Sequence, residues 1–557
     1  MSARGHGRAA RAREAVVVAA RQHVGPRRVP VALLGGALAV AGSFTPWATF
    51  AFGYPGKVTL AGFPGGARAY VLVLVVPALL SLTTRPGRRA AATAGASGTL
   101  AVAAGNLLAV ANDGGGFGAV AYGAWLATAG GILLLAAALS CPPDASPDLA
   151  ERRRPPPVEW TAVVISVGSV LAVVWYGLGV NESSRFTSFV ATVGFAAGAL
   201  AGLGVTGWLE GLYHRHRALT LTASALAAAA FPFTQDGTAQ WIRVFTYIAI
   251  LAAAAIGLNV VVGLAGLLDL GYIAFFGVGA YVAALVAGAG VTTSDVVLPF
   301  GVAMLLGACA AAVFGVIIGA PTLRLRGDYL AIVTLAFGEI FQIVVNNWDS
   351  VTRGPNGLSR IPHLALGGFD FGEPHQVLGV ELPHFANYYF LGLLVLGGVV
   401  VVFSRLNDSR IGRAWVAIRE DEIAAAAMGV NTVRLKLLAF AIGAFLAGTA
   451  GTVNSHFGTQ VSPEQYSFFD SIMLLAAVIL GGMGTVPGAL IGSTALILLP
   501  EKLRDFQDRR LLIFGVALIL MMRFRPEGIV PSRRRQRELH EEGLSADALS
   551  APPGSAL

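Results

Sequence analysis

Two carboxylates lie inside apolar runs that are long enough to cross a membrane, and their chemistry requires an explanation. Asp269 stands in GLAGLLDLGYIAFF and Glu339 in LAFGEIFQIVV. A charged side chain at the centre of a membrane helix costs about 2.5 to 3.5 kcal/mol on insertion scales. Each carboxylate is therefore expected to face a cavity, a partner or the membrane surface. Glu339 is expected to line a transport path or to pair with Gln342 or with backbone groups left free by a broken helix. A structural hydrogen bond is an equal alternative.

Glycines interrupt the run around Asp269. They occupy positions 263, 266, 271, 277 and 279. Glycine at this density either lets helices approach closely or marks a discontinuous helix beside a transport path. Asp269 favours the second interpretation, because a buried carboxylate needs polar surroundings. The predicted lining of such a path comprises Gly266, Asp269, Gly271, Phe275, Gly279, Tyr281 and Glu339.

A polar segment at 411–432, IGRAWVAIREDEIAAAAMGVNT, separates two apolar runs. Asp421 and Glu422 suit the positive end of a helix dipole, and the alanines after Ile423 favour a short helix. Gly429 can take the left-handed conformation that ends it, and Asn431 can cap the next helix. The surrounding arginines indicate the cytoplasmic side. The segment is either a solvated loop with a helical turn or a docking helix for a cytoplasmic partner.

A second polar stretch, at 346–362, reads NNWDSVTRGPNGLSRIP. Its spacing of glycine, proline and asparagine predicts successive tight turns. On the outer side of a membrane such a loop is a lid, a docking surface for an extracellular partner or a plain connector. The residues expected to shape it are Asn347, Thr352, Gly354, Asn356 and Gly357.

Composition assigns the chain to the polytopic membrane proteins. Of its 557 residues 55% are hydrophobic and only 13% are charged, and 70 are glycine. This composition lies far from soluble averages. The predicted fold is an all-α transmembrane helical bundle. The net charge of +8 resides in short loops and tails, so it does not indicate a nucleic-acid partner. Cys141 and Cys309 lie far apart in or beside apolar runs, and neither a disulfide framework nor a metal site is predicted.

A requirement of roughly 20 apolar residues for each span predicts about 16 spans. They are expected near 31–50, 69–83, 90–111, 118–141, 160–180, 186–208, 218–234, 241–262, 267–289, 297–320, 327–346, 387–404, 435–456, 466–482, 484–500 and 510–524. The predicted organisation is a basic tail (1–28), a region of about six spans (29–217), a core of about ten spans (218–530) that contains a polar loop at 405–434, and a second tail (531–557). Alternating loop charges place both termini in the cytoplasm.

From about residue 219 to residue 531 the chain resembles the LivM-type permease subunit of branched-chain amino acid ABC importers. The resemblance rests on six stretches in register, GLNVVVGLAGLLDLGYIAFFGVGAY, RGDYLAIVTLAFGEI, NNWDSVTRGPNGLSRIP, GRAWVAIREDEIAAAAMGVN, GGMGTVPGALIGS and RPEGIVP. It implies that the segment from Arg413 to Gly429 meets the ATPase. Ile423 stands where the corresponding permease motif has a glutamate. The implied coupling residues are Arg413, Arg419, Glu420, Asp421, Glu422, Ala424, Ala425 and Gly429.

The resemblance also implies partners. These are a second homologous permease subunit, two cytoplasmic nucleotide-binding ATPase subunits, an extracytoplasmic substrate-binding protein and the lipid of a bacterial cytoplasmic membrane. None of the three lysines completes a G-x-x-x-x-G-K-[ST] phosphate loop. The chain is therefore predicted to be a pore subunit and not an enzyme, with no bound cofactor and with ATP hydrolysed by its partners.

Three alternatives remain open from the sequence. A permease for urea or short amides shares the same architecture. An ion-coupled secondary transporter would use Asp269 and Glu339 as proton or sodium sites and would need no ATPase. Residues before 218 lie outside the resemblance, and they could form a lipid-facing collar, an interaction module, a divergent membrane domain or a sensor.

Overall fold

A computed structural model describes the chain over most of its length. The described residues are 27–48, 67–83, 89–113, 115–142, 155–180, 183–235, 239–289, 298–322, 329–366, 369–377, 379–502, 512, 515, 516, 519, 523 and 528–530. The chain divides into two compact units, Met1–Phe231 and Pro232–Leu557. The predicted last span at 510–524 is described only at isolated residues. Both tails lie outside the described residues except for positions 27 and 28.

The first unit is a bundle of helices with its own hydrophobic core. Trp47, Leu74 and Leu134 are among its largest fully buried side chains. Small residues let the helices approach closely, as where a Cβ on Gly130 would lie 2.5 Å from the backbone nitrogen of Ala39. Its helices are α1 (Arg28–Ser43), α2 (Ala67–Thr83), α3 (Arg89–Asp113), α4 (Tyr122–Leu139), α5 (Pro156–Gly179), α6 (Ser183–Gly202), α7 (Val205–Arg215) and α8 (Arg217–Ala230).

The predicted span at 186–208 is not one straight helix. The structure instead has two helices, α6 and α7, bent by 82° at a short break. The break contains Gly204, whose φ of +76° is left-handed and therefore ends α6. The predicted span at 218–234 corresponds to α8, which packs against α5 in the first unit, whereas the sequence assigned it to the second set of spans.

The second unit is organised around one long helix. Thr432–Gly458 packs against three other long helices and extends for about 40 Å at the α-helical rise. The helices of this unit are α9 (Ala239–Asn259), α10 (Ile273–Ala284), α11 (Phe300–Thr322), α12 (Tyr329–Asn347), α13 (Asp349–Thr352), α14 (His384–Asp408), α15 (Arg410–Glu420), α16 (Glu422–Ala427), α17 (Thr432–Gly458), α18 (Phe468–Gly481) and α19 (Val486–Lys502).

A helix break separates α9 from α10. After Asn259 the chain continues as one π-helical segment, Val260–Leu264, and residues 265–272 are irregular until α10 begins at Ile273. The predicted span at 267–289 is therefore wrong in its first residues, because the backbone leaves the helix there. The expectation that the glycines mark a discontinuous helix is confirmed. A second π-helical segment, Leu285–Ala289, follows α10.

Short strands stabilise the connection between α12 and α14. The strands are β1 (Leu358–Ser359), β2 (Ala365–Leu366), β3 (Phe369–Asp370), β4 (His375–Val377), β5 (Val380–Leu382) and β6 (Gln460–Val461). β2 pairs with β3 and β4 with β5, whereas β1 pairs with β6, which follows α17. All three pairs are antiparallel. The connection therefore lies at the C-terminal end of α17, and the polar segment 411–432 lies at its N-terminal end.

The helical membrane architecture agrees with the prediction. Within the described residues, eight helices are long and apolar enough to cross a membrane, or nine spans if the bent pair counts as one. Four shorter apolar helices accompany them. Every predicted span except 510–524 overlaps a described helix. The total of sixteen spans and the cytoplasmic position of both termini stay predictions.

We expect Gly279→Ala to destabilise the second unit. A Cβ at this position would lie 2.3 Å from the backbone oxygen of Gly448 on α17. Relief of this clash requires the two helices to separate, at a cost of about 1 to 3 kcal/mol. Thermal unfolding in detergent should show a lower Tm. Gly398→Ala is the matched control, because a Cβ on Gly398 meets nothing within 4 Å. Equal Tm values for both variants would contradict the close contact.

Candidate functional site: the coupling segment and the broken helix

The polar segment between α14 and α17 folds as predicted. Asp421 is the N-cap of α16, and its Oδ1 accepts hydrogen bonds from the backbone N–H groups of Ile423 (2.8 Å) and Ala424 (3.0 Å). Gly429 has a φ of +84° after the end of the helix. The Asn431 side chain accepts a hydrogen bond from the backbone of Arg434 at the start of α17. The predicted short helix, its glycine stop and the following cap are confirmed. We call 410–431 the coupling segment, after the role that the sequence predicts for it and that stays a prediction.

Three features hold the coupling segment in place, and two of them are contacts with α17. The Trp415 indole is fully buried and its Nε1 donates a hydrogen bond to the backbone oxygen of Leu435 at 2.7 Å. Nζ of Lys436, a buried lysine, lies 2.6 Å from Oε1 of Glu422. Ala425 is buried against the rest of the unit. Since α16 has only six residues, these contacts and its cap must supply the stability that so short a helix lacks.

Exposed apolar side chains project from α16 and from the residue that follows it. Ile423 is 73% exposed and Met428 is 85% exposed, and Ala424 lies between them in the sequence. Arg413 and Glu420 are also exposed, so charged groups accompany the apolar ones. Large apolar side chains that project among charges from a firmly held helix are typical of a protein docking surface.

Arg419 joins the coupling segment to the broken helix. Its Nη1 donates a hydrogen bond to the backbone oxygen of Gly263 at 2.7 Å. Its aliphatic stem packs on Gly266, where a Cβ would lie 2.2 Å from Cγ of the arginine. Gly266 also has a φ of +70°, so glycine is required there both by conformation and by close approach. Two sequence-predicted groups, the coupling residues and the predicted path lining, therefore meet at this contact.

The backbone of the break donates hydrogen bonds to side chains of two neighbouring helices. Oγ1 of Thr334 on α12 accepts from the N–H of Leu270 at 3.0 Å. Oγ of Ser471 on α18 accepts from the N–H of Ile273 at 3.1 Å. These side chains replace the intrahelical bonds that the irregular segment loses, as a broken helix in a membrane requires.

Asp269 lies in this break and is fully buried. Its Oδ1 accepts a hydrogen bond from the N–H of Gly271 at 3.0 Å. Its Oδ2 is buried without a hydrogen-bond partner. Glu339 is half-buried on α12, and among the described residues its carboxylate has no hydrogen-bond or ion-pair partner. The predicted bond between Glu339 and Gln342 is absent, because Nε2 of Gln342 donates to the backbone oxygen of Pro463 instead, at 3.4 Å.

The remaining residues of the predicted path take part in helix packing. Cβ atoms added to Gly271 and Gly279 would meet the backbones of Thr334 and Gly448. Phe275 stacks on Phe337 with ring centroids 5.1 Å apart. At Gly271 and Gly279 the observed role is thus close approach, so both interpretations of the glycine density apply, the broken helix at 260–272 and close packing at these two positions.

Tyr281 packs among aromatic rings at the other end of α10. Its ring centroid lies 5.9 Å from that of Tyr466 and 6.2 Å from that of Phe341. Its hydroxyl is buried without a partner. The contribution of this residue and of the other predicted lining residues to a transport path stays a prediction.

The predicted turns of the external loop are present. Oγ1 of Thr352 donates to the backbone oxygen of Val345 at 2.6 Å and so folds the loop onto α12. Gly354 and Gly357 have φ of +54° and +65° around the short 3₁₀ turn that includes Asn356. Asn347 is exposed, and its Nδ2 donates to the backbone oxygen of Ile343. The loop is thus an ordered surface, and its docking role stays a prediction.

The sequence analysis missed two features. Asn259 ends α9, and its side chain accepts from the N–H of Gly484 (2.7 Å) and donates to the backbone oxygen of Thr485 (3.0 Å). The signal available in the sequence was a single asparagine in a long apolar run, and the structure shows that its amide is fully buried. The second feature is a cavity of about 990 Å³ at the opposite end of the unit, lined by side chains from α9, α10, α17, α18 and α19. Because its residues come from distant segments, no spacing in the sequence indicated it.

Comparison with known proteins gives one family and several named relatives. Residues 240–522 match the family described as the permease component of branched-chain amino acid transport systems. The chain is 40% identical over 335 residues to the high-affinity branched-chain amino acid transport system permease protein LivM of Salmonella typhimurium, covering 58% of this chain and 76% of that protein. The corresponding figures for LivM of Escherichia coli K12 are the same.

A related permease protein is also similar. LivH of Escherichia coli K12, named as a high-affinity branched-chain amino acid transport system permease protein, is 28% identical over 287 residues, covering 50% of this chain and 90% of that protein. No solved structure matches the chain. The family match contains the coupling segment, the broken helix and the cavity, and it begins after the first unit ends.

Asp421→Ala should unfold α16 while leaving the rest of the unit intact. The substitution removes the acceptor for two backbone N–H groups, and loss of such a cap costs about 0.5 to 2 kcal/mol. Amide hydrogen exchange of residues 423–427 should accelerate about 2- to 30-fold, as that free energy implies. Asp421→Asn keeps an acceptor oxygen and is expected to exchange like the parent. Equal acceleration in both variants would show that charge, and not capping, holds the helix.

Proposed function

Because this chain belongs to the branched-chain amino acid transport system permease family, we propose that it forms the translocation path of an ATP-driven importer for branched-chain amino acids. The main support for the proposal is the structure of the coupling segment. It presents an exposed apolar surface at one end of the unit, and Arg419 connects it directly to the broken helix. This arrangement suits a subunit that receives mechanical work from a partner.

The proposed partners follow from the exposed surface of the coupling segment and from the lysines, none of which belongs to a phosphate-binding loop. The three lysines of the chain are Lys57, Lys436 and Lys502. ATP is therefore hydrolysed by two cytoplasmic ATPase subunits, which bind the surface around Ile423 and Met428. A second permease subunit, related to this one as LivH is to LivM, completes the pore. An extracytoplasmic binding protein delivers the substrate to the ordered external loop.

The proposed mechanism is alternating access driven through the coupling segment. Displacement of α16 by an ATPase is transmitted to α17 by the Glu422–Lys436 ion pair and by buried Trp415. It is transmitted to the break by the hydrogen bond from Arg419 to Gly263. Since the break is bonded to α12 and α18, its movement shifts both helices. A tilt of these helices opens the path alternately to each side of a bacterial cytoplasmic membrane.

Met428→Glu should uncouple the importer without unfolding the chain. Met428 is 85% exposed, so a charged side chain is tolerated in the free subunit but is desolvated on docking. In membrane vesicles, ATP-driven leucine uptake and copurification of the ATPase subunits should both fall at least about ten-fold, which corresponds to about 1.4 kcal/mol of lost docking energy.

Met428→Leu is the matched control, because it keeps an apolar side chain of similar volume and should retain both activities. Uptake that persists in the glutamate variant, with the ATPase still bound, would contradict the docking surface. Uptake that continues without the ATPase and collapses with an ionophore would instead establish the ion-coupled alternative.

Gly429→Val should also abolish coupling, for a different physical reason. Space is available, since nothing lies within 4 Å of a Cβ at this position, but the φ of +84° is strained for a β-branched residue. The end of α16 must therefore rearrange. Gly429→Asn tolerates the left-handed conformation better and should retain most uptake. Normal leucine uptake by the valine variant, inserted at parental levels, would refute a requirement for this helix geometry.

A further inference from the structure

The large cavity lies at the end of the second unit opposite the coupling segment. Its volume is about 990 Å³, at the upper end of the range for small-molecule sites. The first turns of α9 and the last turn of α17 form part of its wall, together with residues of α18 and α19. Ile273 and Phe276 of α10 contribute to its lining, so the cavity extends to the helix that begins at the break.

Opposite charges line this cavity without neutralising each other. Arg243 makes no ion pair with any described residue, and its guanidinium carbon lies 5.7 Å from the ring centroid of Phe385. Asp470 uses Oδ2 to accept from the backbone and hydroxyl of Ser467, and among the described residues its Oδ1 has no partner. Glu501, a further carboxylate of the lining, accepts a hydrogen bond from Nε2 of Gln240 at 3.5 Å.

Neutral groups complete the lining. Ser493 is 98% buried (2% exposed), and its hydroxyl has no hydrogen-bond partner. A buried unpaired hydroxyl is uncommon in proteins and is satisfied when a polar ligand or water occupies the adjoining space. Leu251, Ile273, Phe276 and Leu474 supply apolar surface. The cavity therefore combines one guanidinium group, two carboxylates, an unpaired hydroxyl and an apolar region, and Glu501 already accepts a hydrogen bond from Gln240.

We propose that this cavity binds a small zwitterion with an apolar side chain, with Arg243 facing its carboxylate and Asp470 facing its ammonium group. A neutral amide would leave both charges unmatched, and a simple anion would leave Asp470 unmatched. An α-amino acid with an aliphatic side chain matches Arg243, Asp470 and the apolar region together. This inference rests on the proposed function and adds a substrate site within this chain itself.

The full-length chain in phosphatidylglycerol nanodiscs, which contain no ammonium headgroup, permits a direct test by isothermal titration calorimetry. The probes are L-leucine, L-leucinamide, which lacks the carboxylate, and 4-methylpentanoate, which lacks the ammonium group. Leucine should bind saturably and at least about ten-fold more tightly than either analogue, as expected when each analogue loses one charge-assisted hydrogen bond.

Charge-removing variants should discriminate among these probes. Arg243→Gln should weaken leucine binding about ten-fold and leave leucinamide binding nearly unchanged, because leucinamide has no carboxylate to lose. Arg243→Lys keeps the charge and is the matched control. Asp470→Asn keeps an acceptor for Ser467 and so preserves the start of α18. This variant should weaken leucine binding and leave 4-methylpentanoate binding nearly unchanged, because that probe has no ammonium group.

Several outcomes would overturn the proposal. Equal leucine affinity in the parent and both charge-removing variants would show that the charges do not contact the ligand. If a variant lost binding of all three probes to the same extent, the substitution would have damaged the structure and not removed a direct contact. Loss of leucine binding when phosphatidylethanolamine is added to the nanodiscs would assign the site to a lipid headgroup. Absence of leucine binding, together with normal ATP-driven uptake by the full complex, would reject this site and leave the proposed function standing.

Discussion

The second unit depends on how the polar backbone of its broken helix is satisfied. Between Asn259 and Ile273 the chain leaves the α-helix among almost wholly buried apolar residues, where an unpaired N–H or C=O group is costly. The required partners come from other elements, with Arg419 bonded to the carbonyl of Gly263 and Thr334 and Ser471 bonded to backbone N–H groups. The break is therefore the point at which the coupling segment, α12 and α18 are held together.

The same constraint joins the two ends of the unit through continuous packing. The coupling segment is held at the N-terminal end of α17, and Asn454 near its C-terminal end lines the cavity. α10 connects the break to the same cavity through Ile273 and Phe276. Glycines along α10 and α17 bring these helices into backbone contact, so one cannot move far without the other. Packed helices thus connect α16 with the cavity without interruption.

The first unit is stabilised by a hydrophobic core of its own. Its core is built from its own helices. Elsewhere in the unit Glu159 is buried, with Oε1 3.2 Å from Nη1 of Arg215 and Oε2 2.9 Å from Nε2 of His216. Because the family match begins at residue 240, none of these features is required for membership of the permease family. The structure therefore separates a core with a family-wide task from an additional helical unit.

The sequence alone determined those features whose cause is local. Asp421, the alanines and Gly429 specified α16 because caps and left-handed stops act within a few residues, and the glycines around Asp269 specified that a helix would break. Composition specified a membrane bundle, since apolar runs of this length have few other solutions. The bend at Gly204 was missed because one glycine among many gives no distinct local signal.

Only the tertiary structure decided which distant groups meet. It paired Arg419 with a carbonyl 156 residues earlier and Asn259 with a backbone N–H 225 residues later, and it brought Arg243 and Asp470 to the walls of one cavity. The reason is physical: hydrogen-bond partners and cavity walls depend on how helices pack, and packing joins residues without regard to their separation along the chain.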